Sequence, residues 1–356
     1  MTLAELGWSH FFATQIQASE AALRPARVTR QDINGYQLIS AEGELQATLP
    51  GRLRRSAYSK ADLPTVGDWV LTSAITGGEK DNVQIERLLD RQSRFSRQEA
   101  GESIDEQVIA ANVDTTFIVC GLDDDFNPAR IERYLLLSRN SGTQPVILLN
   151  KTDICENQEL LLDRLRPIAK ATPYYFISAK DNLGLEAIDP YLAAGETCAL
   201  IGSSGVGKST IINVLLGYDR FTTGAVRTTD SRGRHTTTFR EMVRLPCGAL
   251  IIDTPGMREL QVWADSNALE QSFEDIAELA LGCKFSDCQH VSEPGCAIAQ
   301  AISDGDLPAE RFERYIKLRR ELSELDSQQV AATRAERKQA RRRISKLLRN
   351  RPDKRD

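Results

Sequence analysis

Residues 200–210 read LIGSSGVGKST, and this stretch restricts the fold of the chain more tightly than any other. Gly202 is followed by four residues, Gly205 among them, and then by Gly207, Lys208 and Ser209. Glycines let a backbone turn so sharply that several N–H groups converge, and converging N–H groups attract an anion. The run IINVLLG that follows reads as a helix, whose positive N-terminal end would face the same anion. The run ETCALI that precedes it reads as a buried strand. Strand, glycine loop and helix together match the phosphate-binding pattern G-x-x-x-x-G-K-[ST]. Lys208 would reach the β- and γ-phosphates, and the Ser209 hydroxyl would ligate Mg²⁺. A chance Gly/Ser turn ending in Lys-Ser would lack the flanking strand and helix. The stretch Gly202, Ser203, Ser204, Gly205, Val206, Gly207, Lys208, Ser209 and Thr210 is therefore a candidate triphosphate grip, with the nucleotide still open.

The surrounding sequence predicts a parallel sheet. Strands are expected at 114–122, 144–150, 173–178 and in TCALI, with helices at 129–140, in ENQELLLDRLRPIAK and in LGLEAIDPYL between them. Ligands in such sheets sit at the carboxyl ends of strands, and each motif below follows one. Strand 144–150 runs into Asn150-Lys151-Thr152-Asp153, an N-K-x-D. The Asp153 carboxylate can accept the N1–H and 2-amino hydrogens of guanine. Adenine offers no such pair, which would leave a buried acceptor unpaired. Asn150 can tether neighbouring loops and meet the base, and the Lys151 stem can lie over the ring. Strand 173–178 ends in Ser178-Ala179-Lys180, where the Ala179 N–H can meet guanine O6. Either motif alone is a weak signal, since N-K-x-D occurs by chance on many surface turns; together with the phosphate loop they point to GTP and GDP.

After the loop, residues 220–245 are polar and rich in Thr and Gly, as expected of a nucleotide-sensing segment. Strand 249–253 ends in Asp253-Thr254-Pro255-Gly256, a D-x-x-G. Asp253 would hold Mg²⁺ through water and the Gly256 N–H would sense the γ-phosphate; a Thr of 236–238, taken as Thr237, would add a Mg²⁺ ligand. Met257 stands where many GTPases carry the Gln that orients the attacking water. A thioether cannot do so, and slow intrinsic hydrolysis is expected. His235 is the nearest candidate catalytic residue; a solvated or RNA-contacting histidine is the alternative.

On either side of this region the pattern changes. From about 24 to 92 five short alternating runs separated by turns predict a small β-barrel, specifically a five-stranded OB-fold. Arg24, Arg27, Arg30, Arg52, Arg54, Arg55 and Lys60 recur there with Tyr36, Tyr58 and Trp69, a mixture suited either to oligonucleotide binding or to an ordinary β surface. A short amphipathic helix is expected over residues 1 to about 22, and a polar linker over 90–103. Residues 283–296 read CKFSDCQHVSEPGC, and Cys283, Cys288, His290 and Cys296 form four soft ligands that suit one tetrahedral, structural Zn²⁺. Helices at 267–281 and 308–325 would flank it. The net charge is −5, yet residues 334–356 hold eleven Lys/Arg and three acids, a basic tail of +8 on a body of −13. The tail, with Arg341, Arg342 and Arg343 at its centre, suits a polyanionic partner. Seven cysteines, four of them scattered in apolar runs, fit a reducing compartment. No apolar run approaches a membrane span, and the N-terminus lacks the pattern of a secretion signal.

The order of the motifs is rotated relative to ordinary GTPases: NKTD and SAK precede the phosphate loop, and the Thr and DTPG elements follow it. With a barrel before and a Cys/His cluster after, residues from about 24 to 320 resemble the ribosome small-subunit-dependent GTPase A family of circularly permuted GTPases. The resemblance implies a multidomain chain with an all-β OB-fold RNA-binding domain (1–92), a permuted α/β P-loop GTPase domain (93–258) and a mostly α zinc-binding domain with a basic tail (259–356). It further implies a monomeric cytoplasmic GTPase that binds the small ribosomal subunit and its rRNA, assists late maturation, and is stimulated by the subunit. A nucleotide-gated signalling or metal-trafficking module outside ribosomes is the competing reading. The chain lacks the long basic N-terminal extension of many family members.

Overall fold

The computed structural model describes residues 1–32, 35–57, 59–74, 82–98, 106–221, 240–253, 269–270, 272–290 and 293–324. They form two compact units, the first built from residues up to 253 except Gln98, and the second from Gln98 and residues 269 onward.

The first unit opens not with one amphipathic helix but with single turns: a 3₁₀ turn at Ala4–Leu6, a helix α1 at His10–Ala13 and a 3₁₀ turn at Ala18–Glu20. Gly7 stops the first turn at φ 84°, and a Cβ there would lie 2.6 Å from Arg27 Nη1 and 2.7 Å from the Gly195 carbonyl. Only glycine fits so close an approach. Leu6 and Phe12 still bury fully, packed with Trp69, Leu71 and Leu89, so the expected apolar face exists without the continuous helix.

Strands β1 (Arg24–Gln31), β2 (Tyr36–Ser40), β3 (Gly43–Thr48), β4 (Trp69–Ala74) and β5 (Asn82–Leu88) then form the expected barrel. The order β1-β2-β3-β5-β4 closes through a β1–β4 pairing. Alternate residues point inward: Ala26 and Val28, Tyr36 and Leu38, Val83 and Ile85. A two-residue period with one apolar face is what buries a small barrel's interior. Helix α2 (Gly51–Ser56) lies in the connection between β3 and β4.

Residues 90–98 of the stretch read as a polar linker (90–103) are built into the fold; the rest lies outside the described residues. β6 (Arg94–Gln98) pairs with β7 (Glu106–Ala111), and Phe95 is buried. Arg91 just before it donates from Nε and Nη2 to the two Asp68 carboxylate oxygens, both at 2.7 Å, and Ser93 Oγ donates to the Val113 carbonyl at 2.6 Å. The polar side chains that suggested solvent are satisfied internally by specific partners.

The α/β part uses β8 (Thr115–Gly121), β9 (Gln144–Asn150), β10 (Tyr174–Phe176), β11 (Thr197–Ile201), β12 (Glu241–Arg244) and β13 (Leu250–Asp253). The order β10-β9-β8-β11-β13 is parallel, with β12 antiparallel at the end. Along β8, Ile118 and Cys120 face one core with helices α3 (Pro128–Asn140) and α4 (Gln158–Ala169); Phe117 and Val119 face the other with α5 (Lys208–Leu216). Covering both faces explains why these strands read as continuous apolar runs. Residues 185–191, expected as a helix, form a 3₁₀ helix, Leu185–Tyr191, with Pro190 inside it. Arg30 of β1 pairs with Glu241 of β12, so the barrel continues the parallel sheet's edge.

In the second unit, helices α6 (Glu274–Ala280), α7 (Ala297–Asp304) and α8 (309–324) surround a short cysteine-rich loop. Arg311 joins α8 to α6 through a two-bond contact with Asp275, at 2.5 and 2.7 Å, and lies 4.9 Å from the Phe273 ring centre. Among the described residues of the chain, no helix is long and apolar enough to cross a membrane.

Candidate nucleotide-binding site

The phosphate loop follows β11 directly. Gly202, Gly205 and Gly207 all have positive φ, and Gly207 caps α5 with no side chain capping the helix in its place. A Cβ on Gly207 would sit 2.2 Å from Asn150 Nδ2. The glycine is thus required by a neighbour from another strand as well as by its own φ of 100°. Lys208 Nζ donates back to the Gly202 and Ser203 carbonyls at 2.8 and 2.6 Å, so its ammonium spans the mouth of its own loop. Ser209 and Thr210 occupy the next positions of the helix's first turn. Val206 is fully buried, whereas Ser204 and Gly205 are exposed.

Asn150 ends β9 and is 3% exposed. Its Nδ2 donates to the Val206 carbonyl at 2.7 Å, and its Oδ1 accepts the Ala179 N–H at 2.9 Å. One side chain therefore fastens the phosphate loop to the Ser178-Ala179-Lys180 loop. The Ala179 N–H, expected to face a base oxygen, is engaged with Asn150 here. Lys151 takes the left-handed conformation, φ 72°, and a 3₁₀ turn carries Thr152 and Asp153. Ser178 Oγ donates to Asp153 Oδ1 at 3.0 Å, and Lys180 Nζ lies 3.7 Å from Asp153 Oδ2. The NKTD and SAK loops thus meet at Asp153, beside the phosphate loop. Asp253 ends β13, almost buried, in register with Leu200 on β11.

Sequence reading missed the loop after β8, GLDDDFN. Asp123 Oδ2 accepts from Lys151 Nζ at 2.5 Å. Burial works to raise the Asp123 pKa, but the Lys151 hydrogen bond and charge outweigh it and hold the carboxyl below its usual range. Asp125 accepts twice from Arg130 Nη1, at 2.7 and 2.8 Å, and also from Ser203 Oγ. Three consecutive acids at the carboxyl end of a parallel strand were the available signal.

Other expected residues separate. His235, Thr237, Gly256 and Met257 lie outside the described residues, as do Tyr58 and the tail with Arg341, Arg342 and Arg343. On the barrel, Arg52, Arg54 and Arg55 sit exposed on α2, Arg52 paired with Glu86. Arg27, Tyr36 and Trp69 are buried at 1, 5 and 0% exposure, so these three belong to the interior and not to a nucleic-acid surface.

Cys283, Cys288, His290 and Cys296 converge, with all four ligand atoms within 4.8 Å of one another. His290 Nδ1 lies 3.5 Å from both Cys283 Sγ and Cys296 Sγ. Tetrahedral zinc with ordinary Zn–S and Zn–N bonds requires an S···N edge of about 3.6 Å. The cluster fits the ion better than it fits a set of hydrogen bonds. Cys296 also caps α7, its Sγ accepting the Ala299 N–H at 3.4 Å, an outer contact that orients a thiolate ligand.

Residues 88–263 match the family model described as RsgA GTPase. The chain is 47% identical over 330 residues, 90% of each chain, to the small ribosomal subunit biogenesis GTPase RsgA of Opitutus terrae. It is 42% identical over 350 residues to RsgA 2 of Vibrio vulnificus, covering 98% of this chain and 95% of the relative. The crystal structure of YjeQ from Thermotoga maritima superposes with a TM-score of 0.61 at 25% identity, over 84% of this chain and 98% of that one. YloQ, a circularly permuted GTPase, shares the fold with a TM-score of 0.60 at 24% identity, over 87% of this chain and 98% of its own. The five-stranded barrel, the α/β sheet and the helical Cys/His unit are the architecture of these solved structures, and similarity at this level over nearly the full length makes the chain a member of the RsgA GTPase family.

Proposed function

We propose that the chain is a GTP hydrolase that binds the small ribosomal subunit and assists its maturation. The observation that carries the nucleotide reading is Asn150, whose two hydrogen bonds join the phosphate loop to the Ser178-Ala179-Lys180 loop. Guanine would lie against Asp153, Lys151 and Ala179, with Thr152 shaping the turn. The phosphates would lie in the backbone of Gly202–Thr210 with Lys208 swinging onto them. Lys208 now rests on two carbonyls of the loop, and a charged phosphate oxygen is a stronger partner for an ammonium.

Ser209, Asp253 and Thr237 form a hard oxygen donor set suited to Mg²⁺. When bound, that ion would neutralise charge developing on the β- and γ-phosphates. Ser209 and Asp253 follow adjacent parallel strands, which supports their sharing it. Gly256 would sense the γ-phosphate, and His235 would position the attacking water. Slow intrinsic turnover fits Met257 at the position where a glutamine would act.

The partner reading rests on the names of the relatives and on charge. Arg52, Arg54 and Arg55 on the barrel and Arg341, Arg342 and Arg343 in the tail would contact rRNA phosphates, with steep salt dependence. Zn²⁺ in the Cys₃His cluster is structural, since all four positions are filled by protein. The three-part division at 92 and 258, a monomeric state and a cytoplasmic location complete the reading. GTP turnover measured with and without small subunits tests it. At least tenfold stimulation is the expected order, absent in His235→Ala, which should still bind GTP. Equal rates with and without subunits would overturn the ribosomal assignment.

A further inference from the structure

The loop after β8 touches both halves of the candidate nucleotide site. Asp123 Oδ2 holds Lys151 Nζ at 2.5 Å, both side chains being 27% exposed. Two residues on, the Asp125 carboxylate takes both contacts from Arg130 and the Ser203 hydroxyl of the phosphate loop. The Asp125 N–H donates to Asp123 Oδ1 at 3.3 Å, tying the two acids together. Arg130 itself is fixed by α3, whose N-terminus is capped by Asn127 accepting the Arg130 N–H at 3.1 Å. Asp124, between them, is exposed.

We propose that Asp123 is a positioning residue for guanine-nucleotide binding, acting through Lys151. Lysine carries four side-chain torsions and loses substantial entropy when its stem is ordered against a ligand. Here the stem is fixed at both ends: by a left-handed backbone with φ 72° and by the Asp123 ion pair. Ordering it in advance lowers the cost of binding. Because Asp125 anchors the same loop to Ser203, Lys151 keeps register with the phosphate loop. The pairings also serve a second purpose. A bare carboxylate beside a triphosphate would repel it, but Asp123 is matched by Lys151 and Asp125 by Arg130. This inference rests on the reading of Asn150–Asp153 as the base-recognition loop.

The test is a double-mutant cycle on the full-length chain, reading GDP and GTP dissociation constants. Asp123→Asn is expected to weaken both nucleotides by about tenfold, and by the same factor, because they share the base that Lys151 covers. Lys151→Met keeps the stem but removes the charge. Combining it with Asp123→Asn should add no further loss. Asp124→Asn makes the same charge change one residue away and should bind like wild type. Asp123→Glu, which keeps the charge one methylene further out, should recover part of the affinity, and it carries the test should the Asn variant not fold.

Unchanged affinity in Asp123→Asn, an equal further loss in the Lys151→Met background, or an equal loss in Asp124→Asn would each overturn the proposal. Wild-type chain that binds no guanine nucleotide would overturn the underlying reading instead, which distinguishes the two failures.

Discussion

Asn150 Nδ2 donates to the Val206 carbonyl at 2.7 Å across 56 residues of sequence, and the same side chain accepts the Ala179 N–H. Asn150→Ala leaves both buried partners without a bond. Each orphaned group costs about 1–3 kcal/mol, so unfolding free energy should fall by about 2–6 kcal/mol. GDP binding should weaken more than this global loss alone would produce, because two loops of the site lose their shared tether. Denaturant titration and GDP titration on the same samples check both. A stability loss without an affinity loss would show that the tether serves folding only.

A second expectation concerns pH. Burial and the neighbouring Asp114 charge raise the Glu196 pKa; Asp114 is itself raised, mainly by burial, although the Thr197 N–H and the Arg27 charge oppose it. For acids whose folded pKa is raised, the folded state holds protons more tightly than the unfolded chain. Their stabilising contribution is therefore full below the unfolded values, near pH 4, and is lost as pH rises through the raised folded values. At neutral pH the two carboxylates face each other. Glu196→Gln keeps a donor toward Asp114 and removes one charge. It should melt higher than wild type at pH 7, and the gap should close toward pH 4. A gap independent of pH would sink the idea.

Much of this was legible in the sequence, for reasons specific to each element. The five barrel strands and β8, β9 and β11 were visible because alternation and continuous apolar runs report one- and two-sided burial. The site motifs were visible because their residue types are fixed by the chemistry of phosphate and base. The N-terminal helix was misread because Leu6 and Phe12 share an apolar cluster through separate turns, and sequence spacing cannot see Gly7 pressed against Arg27. β6 hid behind its charge, since pairing of Arg94 with Glu106 of β7 is a tertiary fact. The roles of Asp123 and Asp125 were hidden for the same reason, although the acidic run itself was in view: their partners Lys151 and Ser203 lie 28 and 78 residues away.

Removal of metal makes a third case. Among the described residues, the second unit's buried apolar set is small, including Phe273, Ile276, Ile298 and Leu307. Small cores commonly need a metal to close. A strong chelator should strip one zinc per chain and expose the amides of 274–324 to hydrogen exchange, while β11 and α5 keep their protection. Cys296→Ser should do the same and also weaken the cap on α7. Full protection of 274–324 after the metal is gone would show that packing alone holds the unit.

The last prediction is set by Arg27, one of the largest fully buried side chains among the described residues. It is 1% exposed, and its Nε, Nη1 and Nη2 donate to the carbonyls of Gly67, Leu6 and Asn112 at 3.1, 2.5 and 2.8 Å. One guanidinium thus ties the N-terminal turns, the barrel and the chain entering β8. Burial pulls its pKa down to about 10, with Asp114 and Asp68 opposing, so it remains charged at neutral pH. Arg27→Met removes the donors and strands the buried Leu6 and Asn112 carbonyls, while Gly67 keeps a bond from Asn112 Nδ2 at 3.1 Å; the loss should cost about 3–5 kcal/mol. Arg27→Lys should fare almost as badly, because a single ammonium cannot span three acceptors held in the plane of a fork. Urea unfolding of both variants decides the matter. If Lys restored wild-type stability, the buried charge would be what matters, and the three-way hydrogen bonding would not.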